Sequence, residues 1–395
     1  MSPGPLSGVR VVEFANLVAG PYAGMLLADM GADVIKVETP AGDLARGFGP
    51  YLRGESAFFL AVNRGKRSVA VDPKNLDARR WMDRLVGGAD VVLHNLRRGA
   101  MERMGYGEER VREMNPTVVY AVVSAFGADG PYADRAGIGI IVPAESGMVS
   151  ITGHPGDPPQ KTATTIGDYV AGTNAAFAVC AALFERERGG RGRRIDVSLR
   201  DGLLAVQSGW WALYFAQERQ PERTGTASPF LAPNQIFPTA DGHMALAIVS
   251  DRHFAILCEE LGRLDLAERF ASNDARMEGR PDLVEALTAI FVTDTTEAWV
   301  SRLDAAGLPV GRVLEFSGVE ADPQIAHNQM VAEWDHPTVG KIKGVGSPMR
   351  VDGDPTRAGS APPTLGQHTR EVLEELGAAP SEVDRLVAAG AVVLS

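Results

Sequence analysis

The chain has 395 residues, a length that suits two or three average domains or one large domain with a smaller insert, and with 45% hydrophobic and 23% charged residues its composition is that of an ordinary globular chain. A formal net charge of -11 argues against broad nucleic-acid binding. No run of about 18 residues is free of charge, and MSPGPLSGVR lacks a basic start before an apolar core; neither a membrane span nor a secretory signal is expected, and a cytoplasmic setting is.

From the start, GVRVVEFA reads as a strand rich in β-branched residues. NLVAGP is a turn, with Pro21 suited to the first helical position, and YAGMLLADMGA is a short apolar helix closed by Gly31. DVIKVE, SVAVD, DVVLHN and TVVYAVVS supply further strands, and LDARRWMDRLVGG and GEERVREMN are helical stretches between them. This alternation predicts a Rossmann-like parallel sheet with helices on both faces, an α/β fold. A long apolar helix follows, with Thr164 or Thr165 as its cap and Gly189-Gly190 as its stop. Asp168 falls in its first turn, where free backbone N–H groups favour negative charge and keep the carboxylate ionised. Such a group serves as a simple cap or as a nucleophile whose oxyanion the same N–H groups steady, and the local residues leave both open.

RRIDVSL is the next strand, and DGLLAVQSGWWALYFAQE a second apolar helix. After residue 220 the character changes. IFPTADGHMALAIV reads as a hairpin turning at Asp241-Gly242. Helices are expected around RHFAILCEELG, RPDLVEALTAIFV and TTEAWVSRLDAAG, the last capped by Asp294 with Glu297 three residues on. The predicted organisation is a large α/β domain over 1–220, a smaller inserted α+β domain over 221–330, and a looser, Pro/Gly-containing stretch over 331–395. Two short helices close the chain, the second capped by Ser381. Cys180 and Cys258 offer no disulfide framework, and the seven histidines form no HExxH or HxH pair, so no metal is expected.

Seven pieces, in order, carry a likeness across nearly the whole chain: PLSGVRVVEFANLVAGPYAGMLLADMGADVIKVETPAGD, NRGKRSVAVDPK, HNLRRGAMERMGYG, FGADGPYADRAG, IGDYVAGTNAA, GGRGRRIDVSLRD and APPTLGQHTREVLEELG. Through them the chain resembles the family III CoA-transferases, the CaiB/BaiF group. The resemblance implies that the C-terminal stretch returns to the large domain and that two subunits interlock as a homodimer. It places the family's acyl-carrying aspartate at Asp168. It implies an acyl-CoA and a free carboxylic acid as substrates, with coenzyme A as the carried group and no tightly bound cofactor. CoA needs cations, backbone N–H groups and an apolar slot. The positions matching the family's CoA contacts are Val18 and Ala19, Thr39, Val71, Asp72, Pro73 and Lys74, Asn95, Leu96 and Arg97, Arg103, and Ser124, Ala125 and Phe126. Arg46, Arg64, Lys66 and Arg67 are further cations of the same kind.

Three departures bear on substrate. Asn16 and Val18 stand where some oxalate-using relatives carry His and Gln. HNLRRG replaces ENF-x-PG, so Leu96 stands in place of an aromatic platform. Gly139 and Ile140 stand where many relatives have Asp or His-Asp. A glycine-rich gating loop is also missing from residues 225–260. These differences argue against formyl-CoA:oxalate specificity. The alternative is an epimerase like the α-methylacyl-CoA racemases, which needs a second acid/base that AGIGI does not supply. A nicotinamide enzyme fails because NLVAGPYAG is not GxGxxG, and a CoA-binding protein without catalysis leaves Asp168 without a purpose. Trp210, Trp211, Tyr214, Phe230 and Phe237 are candidates for an acyl pocket or for core packing.

Overall fold

The structure, a computed structural model, describes residues 4–137, 139–356 and 359–395. The chain divides into two compact units, one of residues 1–148, 161–212 and 323–395, the other of 149–160 and 213–322. The boundaries fall at 212/213 and 322/323 rather than 220/221 and 330/331, and the 149–160 turn, HisProGlyAsp included, groups with the smaller unit. Two hydrogen bonds explain that grouping. Arg223 donates Nη1 to the Ser150 carbonyl at 3.2 Å, and Gly225 donates its N–H to the Gly153 carbonyl at 2.9 Å.

In the larger unit β1 (Arg10–Phe14), β2 (Asp33–Glu38), β3 (Lys66–Val71), β4 (Val91–His94), β5 (Val119–Ser124) and β6 (Arg194–Ser198) form a parallel sheet in the order β3-β2-β1-β4-β5-β6. A seventh strand, Val392–Val393, joins the β3 edge antiparallel, with Val392 opposite Val71. Neither it nor the antiparallel hairpin of Val331–His336 and Gly340–Val345 was expected from the residues 331–395. Alternate residues of each strand feed two cores, as the two-residue period of a strand requires. Val12, Phe14, Ile35 and Val92 face one core with Trp81 and Leu85, while Val11, Val34, Val91 and Leu93 face the other. The sheet order reverses direction between β1 and β4, so a crevice opens at their carboxyl ends, where ligands bind in such sheets.

The second core is closed by α1 (Ala19–Asp29) and α2 (Ile166–Glu187). They approach closely because α2 presents small residues: a Cβ on Gly172 would lie 2.7 Å from the Ala19 carbonyl oxygen. By length and composition α2 is apolar enough to cross a membrane, and here its Ala171, Ala175 and Val179 are fully buried in the unit. Pro21 lies at the third helical position of α1, not the first. The second apolar helix is broken at Gln207 into Leu199–Val206 and Ser208–Gln217, where Gln207 turns its amide to the Leu203 and Ser146 carbonyls.

The smaller unit holds a three-stranded antiparallel sheet of Asn234–Pro238, His243–Ala247 and Val310–Arg312. Helices Asp251–Leu261, Arg280–Phe291 and Thr296–Ala305 cover it around Phe237, Phe254, Phe291 and Trp299. The cap of the last helix is Thr295, whose hydroxyl accepts from the Ala298 N–H at 3.2 Å, rather than Asp294. Ser381 likewise lies inside the final helix, Pro380–Ala388, whose N-cap residue is Ala379.

Candidate active site

The predicted contact positions all follow carboxyl ends of the parallel strands: Val18 and Ala19 after β1, Thr39 after β2, Val71–Lys74 at β3, Asn95–Arg97 after β4, and Ser124–Phe126 at β5. Thr39, Val71, Asp72, Pro73 and Leu96 line one cavity of about 310 Å³ together with Asn16. The others do not line it. Val18 and Ala19 are buried at the start of α1, Lys74, Arg97 and Arg103 are exposed, and Phe126 lies under the Arg135 guanidinium at 5.2 Å. The apolar character of the cavity comes from Phe14, Met82, Met104 and Tyr106, and its cation is Arg79; none of these five was among the expected site residues. Met82 had a visible signal in its helical spacing from Ala78, Leu85 and Val86, whereas Tyr106 enters by stacking on Phe14 at 5.8 Å, a contact no local pattern reveals.

The four further cations are occupied within the fold. Arg46 makes a fork to Glu38, Arg64 one to Asp29, and Arg67 pairs with Asp33, Glu371 and Glu375. Lys66 is fully buried against Glu13, 2.8 Å away. These four cations are engaged in ion pairs within the fold.

Asp168 stands in the first turn of α2, half-buried. Thr165 is the N-cap residue but makes no side-chain capping bond, and the Asp168 N–H donates to the Thr165 carbonyl at 3.0 Å. Burial pushes the Asp168 carboxyl up to about 6, outweighing its backbone hydrogen bond. The expected helix-end stabilisation of the anion is therefore overridden, although the group remains mostly ionised at neutral pH. Beside it Tyr169 meets Tyr22 of α1 edge-on, with ring centroids 4.8 Å apart. Asp168 does not line the 310 Å³ cavity. The two places are linked by the β1–α1 turn: Asn16 lines the cavity, and Ala19 abuts Gly172 of α2.

His94, at the end of β4, is buried against Tyr120, and burial pushes it down to about 4, with the nearby Arg194 charge adding to the effect; it is neutral at physiological pH. Of the acyl-pocket candidates, Phe237 is wholly buried in the core of the smaller unit, and Tyr214 and Phe230 are exposed. Among the described residues no group of three or more His, Cys, Asp or Glu is placed to hold a metal ion.

Residues 6–369 match the profile of CoA-transferase family III. The succinyl-CoA:glutarate CoA-transferase of Mus musculus is 35% identical over 376 residues, covering 94% of this chain and 86% of that protein. The succinate–glutarate CoA-transferase of Agrobacterium fabrum is 37% identical over 382 residues, covering 94% and 96%. A CAIB/BAIF family protein from Brucella suis superposes with a TM-score of 0.85 at 35% identity, covering 95% of this chain and all of that one. Sequence and fold agree over almost the entire length, so the chain belongs to CoA-transferase family III and is a CoA-transferase.

Proposed function

We propose that the protein moves CoA from an acyl-CoA to a free carboxylate through covalent intermediates on Asp168, with dicarboxylic acids as the substrate class. The observation that carries this reading is the Asp168 carboxylate itself: half-buried, lifted by burial to about 6, and set in an uncapped helix turn. Partial desolvation raises the basicity of a carboxylate, which strengthens it as a nucleophile while leaving it ionised at pH 7. An Asp168 oxygen attacks the thioester carbonyl, the C–S bond breaks, and CoA leaves as the thiolate. The thiolate then attacks the aspartyl carbonyl of the mixed anhydride, giving an aspartyl-CoA thioester and releasing the donor acid. The acceptor carboxylate repeats the sequence in reverse, and Asp168 is regenerated. No ATP is consumed, because each step exchanges one activated acyl bond for another.

The cavity beside Tyr106 and Leu96 suits the compact end of CoA, and the β1–α1 turn offers a path for the pantetheine arm toward α2. Succinate and glutarate, in the names of the two relatives above, are both dicarboxylates, which supports the choice of substrate class. The test is trapping: the protein is incubated with succinyl-CoA and other acyl-CoAs, quenched with hydroxylamine, and mapped by peptide mass spectrometry. A hydroxamate at Asp168 is expected. No adduct with any donor, together with deuterium uptake into a 2-methylacyl-CoA, sinks the transfer reading and favours the racemase chemistry.

We propose also that the working form is a homodimer. Phe177 and Phe184, two turns apart on the Asp168 helix, are 75% and 65% exposed, and a paired subunit would cover such a stripe. Light scattering is expected to give twice the 42.0 kDa chain mass; a monomer at micromolar concentration overturns this.

A further inference from the structure

The β1–α1 turn is built without glycine, yet Leu17 adopts a φ of +67°, a left-handed conformation that a leucine does not choose unaided. Side chains from elsewhere in the sheet hold its backbone atom by atom. Lys36 Nζ donates to the Ala15 carbonyl at 2.6 Å. Asn95 brackets Asn16, accepting from its N–H at 2.9 Å and donating to its carbonyl at 2.8 Å. Asp43 Oδ1 accepts from the Leu17 N–H at 3.0 Å and from the Ala45 N–H at 2.8 Å. Lys66 Nζ donates to the Pro21 carbonyl at 2.7 Å, inside α1.

These holders are themselves one buried cluster. Lys36 Nζ lies 3.0 Å from Glu13 and 2.8 Å from Asp43, and Lys66 Nζ lies 2.8 Å from the other Glu13 oxygen. All four side chains are fully buried. Burial opposes the Lys36 charge, but Glu13 and Asp43 more than offset it and hold its affinity for the proton above the usual range. Asp43 thus has one oxygen on the turn and the other on Lys36.

We infer that Asp43 and Lys36 are positioning residues for acyl transfer, holding Leu17 in its left-handed conformation so that the turn between the cavity and the Asp168 helix keeps one shape. This rests on the proposed function for the identity of the reacting groups. The turn has that reach because Asn16 lines the cavity while Ala19, two residues past Leu17, packs against Gly172 on the Asp168 helix. α1 also begins without a side-chain cap, so its first N–H groups are placed by the turn alone.

The test uses Asp43→Asn, which keeps the size of the side chain and removes its charge. Expected are at least a tenfold fall in the single-turnover rate of Asp168 acylation by succinyl-CoA and at least tenfold faster amide hydrogen exchange over residues 15–20. Adding Leu17→Gly, which enters the left-handed region without strain, is expected to return threefold or more of the lost rate. A purely structural role predicts no such return, since glycine only loosens the chain. A folded Asp43→Asn protein that acylates within twofold of the parent, or a double variant with no recovery, overturns the inference. Should Asp43→Asn fail to fold, Asp43→Glu, which keeps the charge but displaces it by one methylene, carries the same measurements and criteria. The exchange readout separates this failure from that of the proposed function. If Asp168 is not the nucleophile, the parent forms no adduct but the exchange difference at the turn persists.

Discussion

Asp168→Asn is expected to abolish CoA transfer, by at least about 10⁴-fold, and at the same time to stabilise the protein near pH 8. An amide cannot attack the thioester, and the residual rate reports only binding. The gain in stability follows from the same desolvation. The Asp168 carboxyl rests at about 6 in the fold against 3.8 for the free group, because burial disfavours the anion. A raised folded value means that the native state holds a proton the unfolded chain has already released between those two pH values. The associated stability is present below about 3.8 and is lost as pH rises through about 6. The full shift corresponds to about 3 kcal/mol, and solvent screening at a half-buried site reduces it to roughly 1–2 kcal/mol. Asparagine carries no charge at any pH, so its advantage appears at pH 8 and fades toward pH 5. Thermal unfolding of parent and variant across that range measures it. Equal midpoints at pH 8 would show that the site does not strain the carboxylate. The parent's acylation rate follows the opposite course, flat above about 6 and falling about tenfold per unit below it.

The framework around the cavity was legible because it is local. Each of β1 to β5 carries an apolar run with its own flanking turns, and the ends of those runs fall at or just before Thr39, Val71, Asn95 and Ser124 without knowledge of pairing. Asp168 is legible for the same reason: a cap-like threonine, a lone carboxylate and a long run of small residues define its helix turn. What failed is non-local. Lys66 and a surface lysine look alike in sequence, and only β1 packing beside β3's neighbour brings Glu13 to within 2.8 Å. The hairpin of Val331–His336 and Gly340–Val345 alternates weakly, with Trp334 facing Ile342 across the pair, and Pro and Gly nearby masked it. The Val392–Val393 strand is two residues long and gains meaning only from the edge it joins. Gly24 is a further case: a Cβ there would lie 1.9 Å from Glu13 Oε2, so the glycine makes room for the buried ion cluster rather than for a turn.

Lys36→Met is expected to be the most destabilising single change in the larger unit, by about 3–5 kcal/mol, lowering the melting temperature by roughly 6 °C or more. Lys36 donates to Glu13 and to Ala15's carbonyl, and its ammonium lies 2.8 Å from Asp43 Oδ2. Methionine fills a similar volume but leaves Asp43 Oδ2 buried with no cation, and Glu13 with Lys66 alone. The cost is that of uncompensated charge, not of lost volume, and the two causes separate in a double-variant cycle. Asp43→Asn removes the stranded anion, so Lys36→Met with Asp43→Asn should be less damaging than the two single losses added, by at least about 1.5 kcal/mol. Additive losses would mean that the pair does not interact and that Lys36 serves only as a filler. The cycle also bears on catalysis. If the cluster holds the β1–α1 turn, the double variant regains stability without regaining the acylation rate, because removing the stranded charge does not restore the bonds that brace Leu17 and Ala15.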